Sequence, residues 1–247
     1  MKLSNLELEG KRIFITGAGR RIGKAMAVAV ANAGADVAIH YSKSADSAAE
    51  VAKEIKALGR EAVLVPGDLE DATQLHSLIE KAFRALGGLD ALINNAAIFD
   101  NLNWQTTTLE TWNRHIAVNL TAPFFLSQAF ASLLPSGEQG RIINILDWRA
   151  LRPAADHLPY TISKAALAAL TKSLAVAFAP RILVNGIALG AILPPSDGAE
   201  TLNILSNIPV QRWAKLDEVA EVLIFLLKAP AYITGEIIHV DGGRHLV

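Results

Sequence analysis

Arg12-Ile13-Phe14-Ile15-Thr16-Gly17-Ala18-Gly19-Arg20-Arg21-Ile22-Gly23 begins as a short β-branched run, turns on glycines and continues with helical period to Ala33. A strand that passes into a helix across glycines lets a phosphate approach the backbone, and the helix N-terminus adds partial positive charge. Gly17, Gly19 and Gly23, with Arg20, Arg21 and Ile22 between them, are therefore candidates to hold a dinucleotide pyrophosphate. By itself such a turn also serves as a plain strand-to-helix connection. Two other phosphate loops fail on spacing. A Walker A loop needs four residues between Gly and Gly-Lys, whereas five separate Gly17 from Gly23-Lys24, and Ala25 stands where a metal-binding Ser or Thr is required. The G-x-G-x-x-G pattern fails as well, because three residues follow Gly19 before Gly23.

The same alternation runs outward from this stretch. Further strand-like runs are Val37 to Ile39, Ala62 to Val65, Ala91 to Ile93, Arg141 to Leu146, Ile182 to Val184 and Ile237 to Val240, which with the first makes seven. Helical segments lie between the first six: Arg21 to Ala33, Asp46 to Leu58, Asp71 to Leu86, Leu109 to Leu134 and Pro159 to Phe178. Strands apolar on both faces and joined by helices predict a doubly wound, Rossmann-type α/β fold, a parallel seven-stranded sheet with helices on both faces. Ligands in such sheets sit beyond the carboxyl ends of the strands. No linker-like or repetitive stretch divides residues 1–247, so one domain is expected. Its least regular part, Ala188 to Asn207, with Pro194-Pro195 and Gly198, reads as a loop over the site.

Composition supports a packed core: of 247 residues, 51% are hydrophobic and 19% charged. The net charge of −1 lacks the basic excess that nucleic acid binding requires. With no cysteine, disulfides, thiolate metal sites and a cysteine nucleophile are excluded. The six histidines show no metal-ligand spacing, so no metal is expected, and most of them read as surface or capping groups. Met1 to Gly10 has no secretory pattern, and apolar stretches such as Ala25 to Ala31 and Val222 to Leu227 fall short of the roughly 18 residues of a membrane span. A soluble cytoplasmic protein without a membrane partner is expected.

The end of the second strand sets the choice of dinucleotide, because an acid there holds ribose hydroxyls and repels a 2′-phosphate. Asp36 begins that strand and is at the wrong end. The strand instead leads into His40-Tyr41-Ser42-Lys43-Ser44, in which His40, Ser42, Lys43 and Ser44 are candidates for the phosphate, with Arg20 leaning in from the glycine turn. NADP(H) is favoured over NAD(H). The plainer reading makes Lys43 a solvated lysine and Ser44 or Asp46 a helix cap.

Tyr160-Thr161-Ile162-Ser163-Lys164 heads an Ala- and Leu-rich helix, and the spacing of four puts phenol and ammonium on one face. A cation about 4 Å from a phenolate is worth on the order of 4 kcal/mol at an effective dielectric of 20, enough to bring a phenol toward neutrality. Taken with Thr16 to Gly23, Asn94-Asn95-Ala96-Ala97, Asn119, and the ending Ile233-Thr234-Gly235-Glu236 followed by Val240-Asp241-Gly242-Gly243, this pair resembles the short-chain dehydrogenase/reductase family over practically the whole chain. The resemblance implies Tyr160 as proton donor. Lys164 binds the nicotinamide ribose and lowers the tyrosine pKa, and Asn119 holds a water in a proton relay. Asn95, Ala96, Asp68 and Leu69 lie along the cofactor, with a backbone contact at Gly190, where Leu189 replaces the family's usual proline. A homotetramer is implied too.

Two departures narrow the reading. Thirteen residues before the tyrosine, where the family ordinarily has serine, stands Asp147, and Arg21 replaces the family's middle glycine. Both replacements are similar to those of pteridine reductases and bacterial dihydromonapterin reductases, as are Phe99 and the ending Asp241 to Leu246. An ionised carboxylate cannot donate to a carbonyl, but it accepts from the amino and ring N–H groups of a pterin. Reduction of a pterin C=N bond is the resulting expectation, with Phe99 stacking on the heterocycle, Arg21 pairing with substrate or pyrophosphate, and Trp148 lining the pocket. Phe99 as a core residue and Arg21 in a buried salt bridge are the plain alternatives. Trp104, Trp112 and Trp213 are expected in the core or a subunit contact. The rival functions are a carbonyl reductase of the 3-oxoacyl thioester type and a non-catalytic NADP-sensing protein.

Overall fold

The computed structural model describes residues 7–193 and 202–247. Its seven strands are β1 (Arg12–Ile15), β2 (Asp36–Tyr41), β3 (Ala62–Pro66), β4 (Ala91–Asn94), β5 (Gly140–Asp147), β6 (Ile182–Leu189) and β7 (Ile237–Val240). They form one sheet in the order β3-β2-β1-β4-β5-β6-β7 with parallel pairings throughout. The order reverses between β1 and β4, and a crevice opens there at the carboxyl ends of the strands.

Alternation along the strands divides the core. Ile13 and Ile15 of β1, Val37 and Ile39 of β2, and Ile143 and Ile145 of β5 pack with α1 (Arg21–Asn32), α2 (Ala45–Ala57) and α8 (Leu216–Lys228). Phe14, Ala38 and Ile142, one residue out of phase, pack on the other face with α3 (Leu75–Leu86), α5 (Ala122–Leu133) and α6 (Leu158–Phe178). Each large side chain so buried is worth about 1.5–3 kcal/mol. The remaining helices are α4 (Leu109–Ile116), which continues into α5 through a π-helical turn at Ala117–Thr121, and α7 (Leu202–Ser206).

The expected sheet and its two helical layers are present, with boundaries moved. β2 runs on through His40 and Tyr41, and β6 through Ala188 and Leu189, so the first residues assigned to the substrate loop are strand. Residues 202–206 of that loop are helix, while 194–201 lie outside the described residues. The segment from Asp71 becomes helical only at Leu75. Two helices exceed the apolar lengths read from the sequence: Leu109–Leu133 and Leu158–Phe178 are long and apolar enough to cross a bilayer by length and composition, yet both lend core residues to the sheet.

Candidate active site

The turn after β1 is held from both flanking strands. Gly17 N–H donates to His40 Nδ1 (3.1 Å) and Ala18 N–H to the His40 carbonyl (2.9 Å). Thr16 Oγ1 accepts from the backbone N–H groups of Asn95 and Ala96, each at 2.9 Å. Asn95 Nδ2 in turn donates to the carbonyls of Thr16 (2.8 Å) and Gly17 (3.2 Å). Gly17 has φ 63°, in the left-handed region, and a Cβ on Gly23 would collide with the Gly17 carbonyl. The turn thus presents backbone against the start of α1, a cradle that fits a pyrophosphate. Arg20, Ser42 and Lys43 are exposed around it, and the Ser44 hydroxyl stands 3.0 Å from where a Cβ on Gly19 would be. Asp36 is remote at the start of β2, where its carboxylate accepts from Glu61 N–H. Of the pair beyond β3, Asp68 is exposed and accepts from Glu70 N–H, whereas Leu69 is buried in the core.

His40 corrects the phosphate assignment. Its side chain is buried beneath the glycine turn, and burial lowers its pKa to about 4, so the ring is neutral at pH 7 and bears no charge for a phosphate. Its Nδ1 supports Gly17 instead. His115 is also fully buried, with Nδ1 on the Thr111 carbonyl, which departs from the surface role expected of most histidines.

At the end of β5, Asp147 Oδ1 accepts from Arg149 N–H (2.9 Å), closing the short 3₁₀ turn Trp148–Ala150. The other oxygen accepts from the Tyr160 hydroxyl at 3.1 Å. Lys164, one helical turn after Tyr160 and buried, donates to the Ile145 carbonyl at 2.6 Å, with its Nζ 5.7 Å from the centre of the phenol ring. Burial raises the pKa of Asp147, and hydrogen bonds from Arg149 and Tyr160 only partly offset it. Burial followed by the Asp147 charge pushes the Tyr160 phenol well above its ordinary value, while burial brings Lys164 down to about 8. The phenol made acidic by the neighbouring ammonium is thus overturned in this geometry. The carboxylate is hydrogen-bonded to the phenol, and the ammonium is directed to a carbonyl. A proton on Tyr160 is held between phenol and carboxylate.

A second layer fixes the loop after β4. Asn119 lies in the π-helical turn, fully buried; its Oδ1 accepts from Ile98 N–H (2.9 Å), and its Nδ2 donates to the Ile98 carbonyl and to Ser163 Oγ, both at 3.0 Å. The adjacent Phe99 is exposed, which excludes the core reading. It stacks on His157 (3.9 Å between centroids, 9° between planes) and meets Tyr160 edge-on at 4.6 Å. Thr16, His157 and Ser163 were not singled out from sequence. Thr16 adjoins the glycine turn and Ser163 lies inside the Tyr160–Lys164 spacing, so position gave a signal for those two. None existed for His157, which meets Phe99 only through the fold.

These parts share a cavity of about 210 Å³ lined by Arg21, Asn95, Asp147, Tyr160, Lys164 and Gly190 among others. Arg21 is exposed, and its φ of 52° puts a non-glycine residue in the left-handed region, at a cost of roughly 1 kcal/mol. Gly190 passes the backbone of Asp241 so closely that a Cβ would stand 2.5 Å from the Asp241 Cα, which explains its glycine without reference to a ligand. Trp148 faces a neighbouring cavity. Trp112 and Trp213 are partly buried, whereas Trp104 is 77% exposed and belongs to no core. Among the described residues no cluster of metal-ligating side chains occurs.

A family model described as enoyl-(acyl carrier protein) reductase matches residues 17–245. A 3-oxoacyl-[acyl-carrier-protein] reductase of Synechocystis sp. is 37% identical, covering 93% of this chain and 95% of that protein. Among solved structures, FolM alternative dihydrofolate reductase 1 from Brucella canis complexed with NADP superposes with a TM-score of 0.90 at 35% identity, covering 98% of this chain and 96% of the other. A short chain dehydrogenase from Burkholderia cenocepacia in complex with NADP gives 0.91 at 38% identity, covering 96% and 99%.

Proposed function

The chain belongs to the short-chain dehydrogenase/reductase family, and on that premise we propose that it is an NADPH-dependent reductase of a pterin C=N bond, acting as a single reductase unit. The observation that carries the reading is the Asp147 carboxylate 3.1 Å from the Tyr160 hydroxyl, an acceptor where carbonyl reduction calls for a neutral donor. NADP(H) as cofactor is supported by the glycine cradle, by Lys43 and Arg20 beside it, and by the NADP bound to the Brucella and Burkholderia proteins.

When bound, NADPH supplies hydride to ring carbon. Gly17, Gly19, Ile22 and Gly23 hold the pyrophosphate, and Arg20, Ser42, Lys43 and Ser44 the 2′-phosphate. Asn95 and Ala96 fix the floor of the cleft, with Asp68 at its rim, and Lys164 meets the ribose. Tyr160 gives its proton to the ring nitrogen next to the reduced carbon, and the electron pair of the C=N bond takes it up. Water then restores the phenol by way of Asp147: the carboxylate, whose pKa burial raises, takes a proton from water and passes it to the phenolate, and is left ionised again. Its carboxylate also accepts from substrate N–H groups, Phe99 covers the flat ring, and Arg21 contacts substrate at the mouth. Asn119 keeps this arrangement in register by bracing Ile98 and Ser163.

The second reading, a carbonyl reductase of the 3-oxoacyl thioester type, is favoured by the 37% identity to the Synechocystis reductase. NADPH oxidation followed by absorbance, with a dihydropterin in one cuvette and an acetoacetyl thioester in the other, separates the two. Turnover of the pterin is expected; turnover of the thioester alone rejects the pterin reading, and NADPH binding without any turnover supports a sensing protein. We further propose a cytoplasmic homotetramer, with the exposed apolar residues Phe125 of α5 and Ile162 and Val176 of α6 as its contacts.

A further inference from the structure

Asp147 lines the cavity just described, and its neighbour in sequence, Trp148, lines a second one of about 410 Å³ together with Arg152, Pro209, Gln211 and Arg244. No Asp or Glu side chain is among the described residues that line it. The two guanidinium groups against Trp148 differ in their partners. Arg149, 5.0 Å from the centre of its ring, is engaged by Asp156 through two hydrogen bonds at 2.9 and 3.2 Å. Arg244 lies over the same ring at 4.3 Å, and among the described residues its guanidinium has no carboxylate within ion-pair distance. The nearest acid in sequence, Asp241, is buried and committed to Gly243 N–H and to His245. Burial, then repulsion from Arg149, lowers the pKa of Arg244, and the fields of Asp147, Asp156 and Asp241 offset this only in part. Stacking on indole fixes the guanidinium plane while leaving its edge N–H groups to an oxyanion, so little order is lost when one binds.

We propose that this cavity is a subsite for an anionic tail of the substrate, held by Arg244 and Arg152 against Trp148. Where the tail begins rests on the reaction proposed at Asp147 and Tyr160; the subsite itself does not. The shared chemistry is an oxyanion tethered to the reacting group, either the glutamate carboxylate of a folate-type pterin or the phosphate of a pantetheine thioester.

Two measurements test it. Calorimetry on NADP-loaded protein uses p-aminobenzoylglutamate and phosphopantetheine as fragments, with wild type, Arg244→Gln and Arg152→Gln; the exposed Arg152 supplies a variant outside the indole stack. Saturable binding of one fragment to wild type, weakened roughly tenfold in each variant, is expected for loss of a charge-assisted contact. Absence of binding to wild type, or equal binding to all three proteins, overturns the subsite. Steady-state kinetics then name the source, from the ratio of kcat/KM for dihydrofolate to that for a dihydropterin with a neutral side chain, and for acetoacetyl-CoA to its N-acetylcysteamine analogue. A fall in the first ratio for Arg244→Gln assigns the carboxylate, and a fall in the second the phosphate. Fragment discrimination without turnover of any pterin keeps the subsite and rejects the pterin reaction, so the two failures are distinguishable.

Discussion

Just past β1 and β4 the side chains of Thr16 and Asn95 are committed to backbone, whereas at the end of β5 three titratable groups are committed largely to one another and to one carbonyl. Thr16 and Asn95 together hold two N–H groups and three carbonyls of the cleft floor. Asp147, Tyr160 and Lys164 are buried, or nearly so, with each held away from its ordinary pKa. A buried amide chain joins the halves beneath the cleft, from Asn94 to Asn144 (2.8 Å) and from Asn144 to Thr171 (2.9 Å). The first half is a receptor in which Thr16 and Asn95 are satisfied by backbone groups of the cleft floor. The second stores an electrostatic imbalance that a substrate with suitable N–H groups relieves, and chemistry belongs there.

The largest break in that contrast comes from Tyr160→Phe. Removal of the phenol takes away the proton donor and leaves the turn after β1 untouched, so kcat for the accepted substrate is expected to fall about 10³-fold while the NADPH dissociation constant stays within about twofold. Single-turnover NADPH oxidation and fluorescence titration read the two quantities separately. Retained turnover removes Tyr160 as donor, and a large loss of NADPH affinity shows that the two halves are not independent.

His40 carries the contrast into stability. It is a buried titratable member of the receptor half, with a folded pKa of about 4 against an ordinary 6.5. The unfolded chain therefore binds the proton first as pH falls. The contribution is whole above pH 6.5 and is lost progressively toward pH 4, up to about 3 kcal/mol in all. His40→Asn removes the titration and keeps an acceptor near Gly17, so its stability is expected to decline less than that of wild type between those pH values in urea melts. Parallel pH profiles for the two proteins place the acid sensitivity elsewhere.

The fold was legible because period and glycine punctuation are local: β1, its turn and α1 follow from residues 12–33, and the sheet order from repetition of that unit. Tyr160, Lys164 and Asp147 were legible as residues, but the sign of their coupling was not. A spacing of four puts phenol and ammonium on one helical face, yet the Lys164 ammonium turns to Ile145, and the carboxylate arriving from β5 sets the phenol's pKa. His40 was misread because β2 runs two residues further than its β-branched run, and the strand carries the ring inward. The Phe99–His157 stack depends on a π-helical turn that no sequence period announces.

The smallest expected effect probes what the receptor half leaves to solvent. Lys43 is exposed beyond the end of β2, where no acid stands to hold ribose hydroxyls, and an exposed cation facing a 2′-phosphate acts through a screened field. Lys43→Asp is expected to shift the ratio of kcat/KM for NADPH to that for NADH by roughly tenfold toward NADH, mostly through KM. Added salt shrinks that shift, because a Debye length of about 8 Å near physiological strength already screens exposed pairs. A shift carried by kcat, or one indifferent to salt, places the 2′-phosphate on other residues, with Arg20 across the glycine turn the next to exchange. In either case the Asp147–Tyr160 pair keeps its pKa shifts, since those arise from burial and mutual contact at the end of β5 and not from charges around the cofactor's phosphates.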